Sequence, residues 1–160
     1  MSMREDYDLF LEALRQETGI DAFVADGGGL VSVNVDGRYN LNLQFIEPQG
    51  RILCFVEVAT LPANAPKEVY RALLAGGLFG RDTAGGYFAL ETETETVVYT
   101  YLFDFERAVR DIGDFVSTIE SILQLCDVWT EHIRIAIAAG DGTGGPGAVP
   151  DSQSSGMIQA

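Results

Sequence analysis

Positive charge is what this 160-residue chain has least of: 10 Lys and Arg stand against 24 Asp and Glu, a formal net charge of −14 with the histidine neutral. Lys67 is the only lysine. Nucleic-acid binding needs clustered Lys and Arg to neutralise phosphates, and docking on an anionic membrane draws on the same residues, so both are disfavoured. Cysteine is nearly absent. Cys54 and Cys126 cannot build a disulfide framework. With His132 as the only histidine, a metal centre lacks ligands at close spacing. Both thiols read as small buried apolar groups, and the chain reads as soluble, reduced and cytoplasmic. No apolar run approaches the ~20 residues of a membrane span. Tyr7 to Leu14 is punctuated by Asp8 and Glu12, unlike a signal peptide. No GxSxG, HExxH or CxxC motif occurs, and neither Gly27-Gly28-Gly29 nor the stretch Gly142 to Gly147 carries the Lys-Ser/Thr ending of a phosphate loop. No catalytic residue, metal or cofactor is therefore assigned.

What the chain does have is apolar substance, 47% hydrophobic and 10% aromatic residues, enough for one packed domain. Tyr7, Phe10, Leu11 and Leu14 recur at helical spacing within residues 4–18, with Gly19 placed to end the helix. Leu9 and Ala13 widen that stripe beyond one buried face. Val31, Val33 and Val35 alternate with polar residues and run into Asp36-Gly37, a two-residue hairpin signal. Tyr39, Leu41, Leu43 and Phe45 alternate with Asn40, Asn42 and Gln44, which predicts a strand with one wet face. After the turn 47–50, the run Ile52 to Val58 is more continuously apolar and reads as a central strand. Pro66 suits the first position of a second helix, which weakens at Gly76-Gly77. Two glycines there cost roughly 1 kcal/mol each relative to alanine, so either another backbone approaches closely or the helix ends.

Two further strands follow, one from Tyr87 to Leu90 and one from Val97 to Phe103. The second has apolar residues on both faces and is expected to be covered on both. A single long amphipathic helix is predicted from about Glu106 to Ala139, with Val109, Ile112, Val116, Ile119, Leu123, Cys126 and Ile133 on its stripe. Residues 140–160 hold six glycines, two prolines and no basic residue. They are expected to form a disordered tail after a domain spanning 1–139. Glu91, Glu93 and Glu95 alternate with threonines and read as a solvated hairpin rather than a cation site. His132 reads as a helix-surface residue. What remains is surplus apolar surface in an acidic chain, which suggests a partner interface.

The order helix, three strands, helix, two strands, long helix resembles the class I type III secretion chaperones of the CesT/Tir-chaperone family. The most specific stretch is Ala72 to Asp104, ALLAGGLFGRDTAGGYFALETETETVVYTYLFD, joined by Asp127-Val128-Trp129. The resemblance implies an α+β fold with an antiparallel twisted sheet packed against helices. It also implies a non-enzymatic homodimer that binds the N-terminal segment of a secreted effector polypeptide in the bacterial cytoplasm and keeps it competent for secretion. Carried onto this chain, it makes Leu73, Leu74, Leu78 and Tyr99 candidates for the dimer interface. Phe10, Leu11, Leu41, Leu43 and Phe45 become candidates for the client groove. The alternative is a protein-binding regulatory module of the same fold with no secretion client.

Overall fold

Ser2 opens the first helix. Its hydroxyl accepts from the Glu5 N–H at 3.2 Å while the Glu5 carboxylate accepts from the Ser2 N–H at 2.9 Å, a reciprocal pair that satisfies two donors left over at a helix start. In the computed structural model, which describes residues 2–141, helix α1 runs Met3–Thr18 and stops at Gly19 in the left-handed region with φ 70°. Its buried residues are Tyr7, Phe10, Leu11 and Leu14, the four given by helical spacing.

Strands β1 (Leu30–Val35), β2 (Tyr39–Ile46), β3 (Arg51–Thr60), β4 (Tyr87–Glu91) and β5 (Thr96–Asp104) make one antiparallel sheet in the order β1-β2-β3-β5-β4. Asp36 and Gly37 both hold positive φ, 52° and 67°, and the Arg38 N–H donates to the Val35 carbonyl at 3.0 Å. That is the tight hairpin the Asp-Gly pair predicts. β3 lies at the centre of the sheet, as its continuous apolar run suggests.

Register decides which side chains share a face. Val31, Leu43, Cys54 and Tyr101 lie in one cross-strand row, and Val33, Leu41, Val56, Tyr99 and Phe88 in the next. Helix α1, helix α2 (Lys67–Gly76) and the long C-terminal helix cover this face. Aromatic contacts lock them down: Tyr7 stacks on Phe45 with centroids 4.5 Å apart, Phe103 meets Phe115 at 4.4 Å, and Phe88 meets Trp129 at 4.8 Å. Such pairs contribute about 0.5–1.5 kcal/mol each beyond the area they bury.

Three expectations are corrected. The long helix is two helices: α3 (Phe105–Arg110) and α4 (Ile112–Asp141), separated by Asp111 at φ −139°, ψ 82°. The cause is polar competition for the backbone. The Asp104 carboxylate caps α3 by accepting from the Arg107 N–H at 2.9 Å, and the Asp111 carboxylate accepts from the Asp114 N–H at 2.9 Å at the start of α4. The break turns Val109 out of the buried stripe and into solvent. Second, β5 is covered on one face only. On the other, which no helix covers, Val98 is half-buried, Thr100 buried among its neighbours and Leu102 exposed, beside half-buried Leu53 and Phe55. Third, α4 continues through Gly140 to Asp141, past the helix end expected at about Ala139. The remainder of the expected tail, 142–160, lies outside the described residues.

At Gly76-Gly77 the helix does end, with Gly77 as its cap, and Gly76 is also closely approached, by an indole rather than a backbone. Gly76 is buried, and a Cβ there would fall inside contact distance of the Trp129 six-membered ring. Pro66 sits one position earlier than expected, as the residue before the first helical turn.

Candidate protein-binding surfaces

Several polar groups are occupied in structural roles. Cys54 and Cys126 are fully buried, and burial pushes both thiols up, Cys126 to about 12. They are inert at neutral pH, since the thiolate is the reactive form. The Glu91 carboxylate accepts from the Thr94 N–H and hydroxyl, both at 2.9 Å, and these bonds hold its pKa below the ordinary carboxylate value. It closes the turn between β4 and β5. Asp127 accepts from the Tyr39 hydroxyl at 2.5 Å and pairs with Arg38 at 2.7 Å, tying α4 to the β1–β2 hairpin. The Trp129 indole N–H donates to the Asp82 carbonyl at 3.0 Å, anchoring the loop that follows α2. Among the described residues no cluster of His, Cys, Asp and Glu could hold a metal ion, and no helix is long and apolar enough to cross a membrane.

Besides the outer sheet face around Leu102, exposed apolar side chains gather in two places. The first is an open groove of about 620 Å³ between α1 and α3. Leu9 on α1 is 52% exposed and Val109 on α3 is 54% exposed, above a floor of Phe10 and Phe105. The rim is charged: Asp6 and Glu106, with Arg110. The helix break at Asp111 creates this groove, because it lets α3 lie against α1 as a separate segment while Phe105 enters the aromatic cluster with Tyr7, Phe10 and Phe45.

The second surface runs along the end of α2 and the loop after it. Leu74 is 80% exposed, Leu78 57% and Phe79 89%. Phe79 holds φ at 56°, a left-handed conformation that costs a non-glycine residue about 1–2 kcal/mol. The turn presents an almost fully exposed phenyl ring to solvent. Beside it, α2 and α4 leave a groove of about 420 Å³ lined by Ala72, Ala75, Gly76, Leu125, Val128 and Trp129, with Asp82 and His132 at its edge. Small residues on α2 keep it open. On the other flank of α2, Leu74 borders a smaller recess shared with Phe88 and Leu90 of β4.

The residues expected at partner surfaces divide sharply. Phe10, Leu11, Leu41, Leu43 and Phe45 are all buried within the single subunit. Phe10 reaches the floor of the α1–α3 groove, and Leu41 the floor of another recess, between the β1–β2 hairpin and α4. Leu11, Leu43 and Phe45 line neither, so a partner cannot touch them while the core is closed. The alternation that made β2 half-wet is correct, but its apolar half faces the subunit's own helices. Of the four dimer candidates, Leu74 and Leu78 are exposed. Leu73 is buried, and Tyr99 is fully buried with its hydroxyl donating to the Thr83 carbonyl at 2.7 Å. Leu9 and Ala13 were marked in the sequence by the widened stripe of α1. Val109 was hidden by the assumption of one continuous helix, although Asp111 and Asp114, three apart, are a helix-start signal. Phe79 carries no periodic signal at all.

Among curated proteins none matches the sequence. The fold is similar to that in the crystal structure of the ExsC–ExsE complex, with a TM-score of 0.72 at 15% identity over 82% of this chain and 96% of that one. It is also similar to the HopA1–SchA chaperone–effector complex, with a TM-score of 0.62 at 18% identity over 84% of this chain and 98% of that one. A third similar structure is the Yersinia pestis type III secretion chaperone SycH bound to a stable fragment of YscM2, at 0.54 and 16% over 74% and 98%. Residues 10–129, from the middle of α1 to the Trp129 anchor of α4, match the Tir chaperone protein (CesT) family, and the chain belongs to that family.

Proposed function

We propose that this chain is a type III secretion chaperone: it binds the N-terminal segment of a secreted effector in the bacterial cytoplasm and keeps that segment unfolded and ready for export. Membership of the CesT family supports the reading, and the observation that carries it is the α1–α3 groove. A closed subunit that leaves Leu9 and Val109 in solvent over an aromatic floor presents a site that an unfolded chain can cover with its own apolar side chains. No covalent chemistry is involved. An unfolded segment loses conformational entropy when held, and burial of its apolar side chains offsets that loss. The acidic rim and the net charge of −14 favour a client segment carrying basic residues between apolar ones, and they speed its capture. Of the buried candidates, Phe10 is part of the groove floor and Phe45 supports it from beneath by packing on Phe105, while Leu11, Leu41 and Leu43 hold the subunit core. Leu74 and Leu78 meet a second copy of the chain.

Copurification from the native host tests the reading. The expected partner is a protein exported by a type III system, bound through its N-terminal segment. Leu9→Asp and Val109→Asp, both at exposed positions, should each reduce capture by about tenfold or more while leaving the circular dichroism unchanged. Capture of nothing exported, or capture indifferent to both substitutions, would overturn it.

A further inference from the structure

We infer that Phe79 anchors a symmetric contact between two copies of this chain by seating in the α2–α4 groove of the other copy. The inference rests on the dimer reading above and goes further, since it names the knob and the hole. Phe79 projects from a turn closed by the Gly80 N–H on the Gly77 carbonyl at 3.0 Å, with Gly80 itself at φ 67°. The turn holds the ring away from its own subunit, at the highest exposure of any large apolar residue described. The groove is apolar and roomy on its α2 side, where Ala72, Ala75 and Gly76 contribute almost no side chain.

Gly76 and Asp82, which both line the groove, stand three residues before and three residues after Phe79. Knob and hole therefore lie side by side on one patch. A two-fold axis between them gives each copy one of each, which is what an isologous interface requires.

Charge selects the same patch. The chain carries −14, so two copies repel across most of their surfaces. Residues 61–90 depart from that balance: Lys67, Arg71 and Arg81 against Glu68 and Asp82 give a net +1. Contact through this segment brings together parts of the two copies that do not add to the repulsion. Exposed Leu74 and Leu78 extend the apolar area around the knob.

Sedimentation velocity on the full chain, with emission of Trp129 as a second readout, tests this directly. Trp129 is the only tryptophan and lines the groove. The wild type is expected to be a dimer at tens of micromolar. Phe79→Ala should raise the dissociation constant at least about tenfold and red-shift the emission, with unchanged circular dichroism. Val128→Arg, at the exposed mouth of the groove, should do the same by blocking the hole. Mixing the two variants should partly restore the dimer mass, because the Val128→Arg copy keeps its knob and the Phe79→Ala copy keeps its hole. A monomeric wild type would overturn the dimer reading and this inference with it. A Phe79→Ala dimer as tight as wild type would overturn the anchor alone. Two monomeric variants whose mixture stays monomeric would overturn the pairing of knob with groove.

Discussion

Gly76→Ala separates two ideas about the end of α2 by the sign of one number. Judged by helix propensity, replacing a helical glycine with alanine stabilises by up to about 1 kcal/mol. Judged by packing, it destabilises. The added Cβ would enter the space of the Trp129 ring, and that ring is not free to retreat. Its N–H is bonded to the Asp82 carbonyl, one edge meets Phe88 at 4.8 Å, and His132 lies 5.5 Å away. Overpacking of this kind costs about 1–3 kcal/mol, and shifting the indole forfeits a hydrogen bond of about 1 kcal/mol. Net of the propensity gain, the expected loss is about 1–3 kcal/mol, or a melting temperature lower by roughly 3–10 °C for a domain of this size. Gly77→Ala is the matched control. Gly77 has φ −75°, and a Cβ there meets only the Leu74 and Leu73 carbonyls, at 3.5 and 3.8 Å. Alanine should be neutral there, or stabilising by about 0.4–1 kcal/mol through the unfolded chain. Thermal unfolding followed by far-ultraviolet circular dichroism, at one protein concentration, reads both. A Gly76→Ala melting temperature equal to or above wild type refutes the packing argument.

Leu43→Asp should unfold the chain rather than merely disarm a binding face. Leu43 is fully buried between Val31 and Cys54, and an unpaired carboxylate there costs about 4 kcal/mol or more. A native circular dichroism spectrum with an unchanged urea midpoint would contradict this. Alkaline pH should destabilise the fold. Burial pushes the phenols of Tyr7, Tyr39 and Tyr99 above their ordinary 10.0 and the thiols of Cys54 and Cys126 above 9.0. The unfolded chain releases these protons first, so the native state binds more of them. Stability is then full below about pH 9 and falls as pH rises through 10 and beyond. Urea midpoints measured from pH 8 to 11 should decline across that range, and a flat profile would contradict the assignment.

Local rules in the sequence were enough for most of the architecture. Asp36-Gly37 specifies a hairpin through backbone sterics alone, Gly19 ends α1 for the same reason, and the period-two alternation of Tyr39 to Phe45 sorts β2 into a wet and a dry face. These are decided within a few residues. The break at Asp111 was legible in principle, since Asp104 and Asp111 both stand where a helix cap belongs. The apolar stripe on either side masked it, because the steps from Val109 to Ile112 and Val116 fit one continuous helix as well as two. The reach of Trp129 across to Gly76 was not legible, since a glycine pair reads equally as a helix end and as a seat for something bulky 53 residues away.

The binding surfaces were harder for a physical reason. An apolar side chain obeys the same periodicity whether its own subunit or another chain covers it. Leu43 and Leu9 both lie on apolar faces, yet Leu43 faces Val31 and Cys54 in the closed sheet while Leu9 stands half in solvent at the edge of the α1–α3 groove. What distinguishes them is the count of available covers. One sheet face takes α1, α2 and α4, and those helices spend their best apolar stripes on it. Residues on helix flanks, such as Leu9, or on a segment re-aimed by a break, such as Val109, are left outside. The same reasoning accounts for Phe79. A turn at φ 56° cannot belong to any periodic stripe, so its ring was bound to fall outside every pattern. Surplus apolar residues at the margins of regular elements, rather than the strongest stripes, are what this fold leaves in solvent.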